Sequence, residues 1–290
     1  MTTHEGPRVV VGVDPSEHAA TALDWAADEA QLRGWPLRIV HARGAGAARL
    51  AEVSSQHQWD EADRAARTLL DDTERRARED RPALPVRTDL VDDAPLPGLI
   101  GFVRPEDLLV VGSRGHGLVA SLVVGSVSQG LAAHAACPVV VVPDRGASLP
   151  GAAVVLGVGP DEAADTVAFA FAEAAWRGAP LLAVRAWSLV SAYPGLATAS
   201  AEERRGRDEA ESEQLDGLLS AAREAHPGVA VRTEISEGAP DAPLVSASED
   251  ASLPVLGAQR EHARFAPPLG RVVQHVLHQA QCPVALVPHT

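Results

Sequence analysis

Residues 111–143 read VGSRGHGLVASLVVGSVSQGLAAHAACPVVVVP, and residues 256–288 read LGAQREHARFAPPLGRVVQHVLHQAQCPVALVP. The two stretches align without a gap at an offset of 145 residues, half the length of the 290-residue chain. Each runs from a glycine-bearing turn through a helix to a Cys-Pro step and a Val-rich strand, so the chain is a tandem duplication. The copies have diverged unequally. The first holds Gly112, Gly115 and Gly125-Ser126, where the second holds Gly257, Arg260 and Gly270-Arg271. A copy of about 145 residues buries roughly two thirds of its unfolded surface and needs neither disulfide nor metal to fold.

Upstream of the repeated stretch, Arg8 to Val13 (RVVVGV) predicts a strand buried on both faces. Ser16 is a suitable N-cap, and Ala19, Ala22, Leu23, Ala26, Ala27 and Ala30 recur at helical spacing until Gly34. Further strands are predicted at 37–42, 86–91, 107–111 and 138–142, with helices over 58–80, 96–103 and 126–135. Residues 43–56, rich in small side chains, predict a loop that either folds over a site or stands in solvent. The second copy repeats the order, with strands at 153–158, 181–186, 229–235, 252–256 and 283–287 and helices ending near Arg177 and spanning 201–225. Five strands alternating with helices predict, in each copy, a parallel α/β sheet covered on both faces. The polar stretch 144–151, DRGASLPG, predicts the boundary, giving domains 1–147 and 148–290.

Composition narrows the function. The net charge is −14 and no basic residues cluster, which argues against nucleic acid or an anionic membrane as partner. All 25 basic residues are Arg. A chain without Lys has no Walker A or kinase lysine and no Schiff-base chemistry, so a bound nucleotide would be held by backbone amides, hydroxyls and Arg. No apolar run of about 18 residues and no leader precede the first strand, and the expected location is the cytoplasm. Cys137 and Cys282 occupy equivalent positions before buried strands and read as packing thiols.

In an open parallel sheet, ligands sit beyond the C-terminal strand ends where the winding reverses. Asp14 follows the first strand and Gly112 ends the fourth. Gly112 and Gly115 allow close backbone approach to an anion, and Gly125-Ser126-Val127-Ser128 opens a helix whose free N–H groups attract one. Arg114 stands beside this loop and is suited to phosphate. His41, His116, His275, His278 and His289 have no acidic partner at ligand spacing, no metal ligand set is predicted, and no catalytic triad follows from local motifs.

The pattern Gly112-x2-Gly115-x9-Gly125-Ser126, with the opening VVVGVDPSEHA, resembles the universal stress protein family, and the resemblance covers both copies. It implies two tandem Rossmann-like domains, each with five parallel strands in the order 3-2-1-4-5, adenine nucleotide in the crevice, and association through the last strand. It further implies ATP with Mg2+ as ligand and a role as a stress-response regulator or sensor. By position, Gly12 and Val13 would form the floor, Asp14 would meet the ribose, and Val40, His41 and Ala42 would wall the adenine. Gly112, Ser113, Arg114, Gly115, Gly125, Ser126, Val127 and Ser128 would hold the phosphates. A homodimer is expected, with the two domains of one chain packed as partner subunits. Weak ATP hydrolysis and a nucleotide-independent scaffold stand as alternatives, and nothing in the sequence obliges the chain to be an enzyme. In the second copy Gly159, Arg260 and Arg271 replace Asp14, Gly115 and Ser126, so the family's mode of ATP binding is expected to be lost there. The rival expectation is that Arg260, Arg264 and Arg271 form a different anion site.

Overall fold

A computed structural model describes residues 6–44, 56–114, 124–144, 151–160, 162–188, 200–259 and 269–289. The predicted loop 43–56 and the predicted linker therefore lie largely outside the described residues. The chain divides into two compact units, Met1–Gly146 with Gln259–Leu269 and Thr290, and Ala147–Ala258 with Gly270–His289.

In the first unit the order is β1 (Val9–Gly12), α1 (Glu17–Arg33), β2 (Leu37–Ala42), α2 (Gln56–Glu79), β3 (Val86–Val91), α3 (Pro95–Phe102), β4 (Leu108–Gly112), α4 (Ser126–His134) and β5 (Val139–Val142). The second runs β6 (Val154–Val158), α5 (Ala164–Arg177), β7 (Leu181–Trp187), α6 (Ala201–Ala225), β8 (Val231–Glu237), α7 (Asp241–Glu249), β9 (Leu253–Gln259), α8 (Arg271–Gln279) and β10 (Val284–His289). The strand order is β3-β2-β1-β4-β5 in one and β8-β7-β6-β9-β10 in the other, the same order twice. All the registered pairs are parallel. In the first unit α1 packs with α2 and α3 with α4, and the second pairs its helices the same way.

Local chemistry explains where the elements stop. Ser16 caps α1 by accepting from Ala19 N–H at 3.3 Å, and Gly34 ends the helix at φ +66, a conformation that a side chain would strain. Helix α6 starts with a capping box, the Ser200 hydroxyl accepting from Glu203 N–H while the Glu203 carboxylate accepts from Ser200 N–H. The amide of Ser200 holds the Glu203 carboxyl below its usual value. Helix α7, to which the sequence analysis assigns nothing, has only nine residues and a Pro in its first turn, so it offers little periodicity.

The sheets are aliphatic at the centre: Val9, Val10, Val11, Leu109 and Val110 are fully buried, as are Val154 and Leu156. A buried ion pair joins β1 to the start of β4 in the first core. The Arg8 guanidinium donates to Asp107 at 3.1 and 2.5 Å, its backbone N–H donates to the same carboxylate, and its plane lies 5.3 Å from the Phe102 ring. The second copy replaces both members. Ala153 stands for Arg8 and Ser252 for Asp107, with the Ser252 amide and hydroxyl both donating to the Ala153 carbonyl.

Two outcomes follow. Asp107→Ser alone leaves the Arg8 charge buried and lowers the stability of the first unit by about 3–5 kcal/mol, whereas Arg8→Ala with Asp107→Ser recovers most of the loss by reproducing the second copy; urea unfolding checks both. The Cys282 thiol donates to the Ser248 carbonyl at 3.2 Å, and burial pushes its pKa up from 9.0 to about 12. Iodoacetamide at pH 8 is therefore expected to spare Cys282 in the folded protein and modify it only after unfolding, as peptide mass mapping would show.

Candidate functional site

Strands β1 and β4 are hydrogen-bonded neighbours, Val9 against Leu108 through Val11 against Val110, although the crossovers from them run to opposite sides of the sheet. Their C-terminal ends thus form the reversal point at which a crevice opens. The chain segments that follow β1 and β4, starting at Gly12 and Gly112, leave neighbouring strands, in the strand order that the family resemblance implies.

Beyond β1, Val13 N–H donates to the Val40 carbonyl at 2.9 Å, and the Val13 carbonyl lies 2.8 Å from His41 Nδ1. Val40 is almost wholly buried, while His41 and Ala42 are half-buried at the rim. The Asp14 carboxylate accepts from the Ser16 N–H at 3.1 Å and from the Ser16 hydroxyl, so one of its oxygens also shapes the start of α1.

On the other wall, Ser113 N–H donates to the Val142 carbonyl and Gly125 N–H to the Ser113 carbonyl, both at 2.7 Å. The Ser128 hydroxyl donates to the Gly112 carbonyl at 2.7 Å and is buried there. These bonds set the start of α4 against the end of β4. Gly125 is the N-cap of α4 and supplies no side-chain cap, and the first intrahelical bond runs from Gln129 N–H to the Gly125 carbonyl at 3.1 Å, so the amides of Ser126, Val127 and Ser128 have no acceptor within the helix. Gly112 is required by packing as well: a Cβ there would lie 2.9 Å from the His18 carbonyl oxygen. Gly115 and His116 lie outside the described residues.

The sequence analysis misses two residues of this edge. His18, in the first turn of α1, places Nδ1 2.5 Å from Asp144 Oδ1, and Arg114 lies 3.6 Å from Asp144 Oδ2. Asp144 reads in sequence as the first residue of the linker. Its position immediately after β5, whose register places Val142 opposite Gly112, is the signal that marks it. A groove of about 900 Å³ opens elsewhere, between α1 and α2, and shares only Asp14, Pro15 and Ser16 with this crevice. Among the described residues no group of three or more His, Cys, Asp or Glu side chains is placed to hold a metal ion.

The strand ends of the second domain carry different side chains. By register Val184 stands at the position of Val40 and Arg185 at that of His41, with Arg185 buried against Glu211 and its Nε 2.5 Å from that carboxylate. It also donates to Gln214 and to the Gly159 carbonyl at 3.1 and 3.5 Å. Ala186 stands at the position of Ala42, and Trp187, one residue further, donates to Asp208 at 2.7 Å. The Glu162 carboxylate accepts from Gly159 N–H at 3.1 Å, where Asp14 stands in the first copy. Sequence comparison of the glycine segments alone does not find these contacts, because Arg185, Trp187 and Glu162 lie on other elements. Arg271 is an exposed first residue of α8, and Arg260 and Arg264 lie outside the described residues.

Comparison with known proteins agrees with the repeat. The profile of the Universal stress protein family matches residues 7–143 and again residues 152–288. A universal stress protein of Mycobacterium tuberculosis is 34% identical over 292 residues, covering 95% of this chain and 94% of its own length. Another from the same organism is 33% identical over 291 residues, with 95% of each chain covered. The crystal structure of a universal stress protein from Archaeoglobus fulgidus superposes with a TM-score of 0.72 at 16% identity, covering 97% of this chain and 98% of that one. The chain belongs to the universal stress protein family and carries that family's α/β domain twice in tandem.

Proposed function

We propose that the protein is an ATP-binding stress-response regulator that takes one adenine nucleotide per chain, in the crevice of its first domain, residues 1–147. The observation that carries this reading is the uncapped N-terminus of α4 held at the end of β4, with the Asp14 carboxylate on the neighbouring strand end. Free amides suit phosphate, and a carboxylate suits ribose hydroxyls, so the two walls match the two ends of a nucleotide.

In this reading Gly112, Ser113, Arg114, Gly115, Gly125, Ser126 and Val127 hold the phosphates, with Ser128 supporting the loop through Gly112. Gly12, Val13, Val40 and Ala42 line the base. Magnesium would take its ligands from phosphate oxygens and water. The nucleotide acts as a ligand whose binding energy biases a conformation or partner surface. No observation favours hydrolysis: the chain has no Lys, and His41 is engaged by a backbone carbonyl. The second domain, residues 148–290, is read as a structural half, since Gly159, Arg260 and Arg271 replace Asp14, Gly115 and Ser126. Family resemblance supports a cytoplasmic homodimer, and no described helix is long and apolar enough to cross a membrane.

Binding at 100 times Kd adds about 2.7 kcal/mol and raises the melting temperature of a domain this size by roughly 5–10 °C. Gly115→Arg, which copies the second domain, is expected to abolish this shift in a thermal denaturation assay; a wild-type shift in that variant excludes the site. Calorimetry is expected to give one ATP per chain, and two would show that the second crevice opens.

A further inference from the structure

The carboxylate of Asp144 sits among the groups proposed to receive phosphate. Its Oδ1 lies 2.5 Å from His18 Nδ1 and accepts from the Ser113 hydroxyl at 3.4 Å. Its Oδ2 lies 3.6 Å from Arg114. The side chains of His18, Arg114 and Asp144 are about a third exposed, so an incoming ligand can reach them. Two of the predicted phosphate donors, Ser113 and Arg114, already face an anion that the protein supplies itself.

The second domain keeps the same chemistry with the residues exchanged. His289 stands at the position of Asp144, and the carboxylate comes instead from Glu162, next to the counterpart of His18. Both converge on Gly257, the counterpart of Gly112: a Cβ there would press on the Glu162 carboxylate and lie 2.8 Å from His289 Nε2. Each domain therefore brings a carboxylate and an imidazole to the end of its fourth strand, although neither position keeps its residue type. The pair is joined only in the first domain: Glu162 Oε1 has no hydrogen-bond partner among the described residues, whereas His18 Nδ1 lies 2.5 Å from Asp144.

We infer that Asp144 is a built-in competitor for the ligand's phosphate, holding Ser113 and Arg114 until phosphate takes them and making affinity depend on ligand charge. The inference rests on the nucleotide reading of this crevice and adds its regulation. Partly exposed ion pairs are worth little, so Arg114 can exchange one anion for another cheaply. The Asp144 charge then remains beside the phosphates and opposes them in proportion to their number. His18 stays as its partner.

The test is titration calorimetry of the full chain with adenosine, AMP and ATP, comparing wild type with Asp144→Asn. ATP affinity is expected to rise about threefold to tenfold, AMP affinity less, and adenosine affinity not at all. The gain should shrink at high salt and in an Arg114→Ala background, where there is no guanidinium to release. Asp144→Ser, with an unchanged melting temperature, has to reproduce the trend. Unchanged or weakened ATP binding in both variants, or an equal gain for all three ligands, overturns the inference while leaving the site intact. If neither adenosine nor ATP binds wild type or Asp144→Asn, the nucleotide reading fails and the inference falls with it.

Discussion

The amide of Gly125 donates to the carbonyl of Ser113 at 2.7 Å, and the working edge of the first domain hangs on that contact. It returns the chain to the strand it has just left, so α4 has to begin at the end of β4 and nowhere else along the sheet. The Ser128 hydroxyl repeats the tie one turn later through the Gly112 carbonyl, and Ser113 N–H fastens the same point to β5. With the helix start fixed, its unsatisfied amides stand at the reversal point that β1 and β4 create. A carboxylate at the end of β1 and amide donors at the end of β4 are thereby set on neighbouring strands, which is the arrangement a nucleotide requires.

The duplication shows how little of this scaffold depends on the ligand. Strand order, helix pairing and the glycine stop after the first helix recur in the second domain, where Gly178 takes φ +58 as Gly34 takes φ +66. Its strand ends, however, carry other side chains. A buried guanidinium needs a partner, and Arg185 has one in Glu211, which Arg207 approaches to 2.5 Å as well. The first domain carries a smaller cluster at Asp144, which faces His18, Ser113 and Arg114 and stays partly exposed.

An Arg-only basic set gives these networks their form. The planar fork binds carboxylates through two atoms at once, as in Arg38 with Asp89 at 2.8 and 2.7 Å between β2 and β3. The buried pair of Arg8 and Asp107 works the same way and also places Phe102 against the guanidinium. That the second copy dispenses with both residues, using Ser252 and Ala153, shows that the fold tolerates either solution.

While the strand order that sets the end of β1 beside the end of β4 came from the family resemblance, sequence alone determined the repeat and most of the strand and helix succession. These are legible because strands buried on both faces and helices with one apolar face leave local periodic patterns, and because glycine positions survive comparison between copies. Helix α7 escaped because its buried face carries Ser248 beside Leu244, so no apolar period marks it. Tertiary structure alone decided which side chains meet at each set of strand ends. His18 and Asp144, or Arg185 and Glu211, carry no shared local signal, since they meet only once the parallel sheet has aligned the ends of distant strands. Ion pairs of that kind follow from the winding of the chain, and the winding is a property of the whole sheet, not of any segment in it.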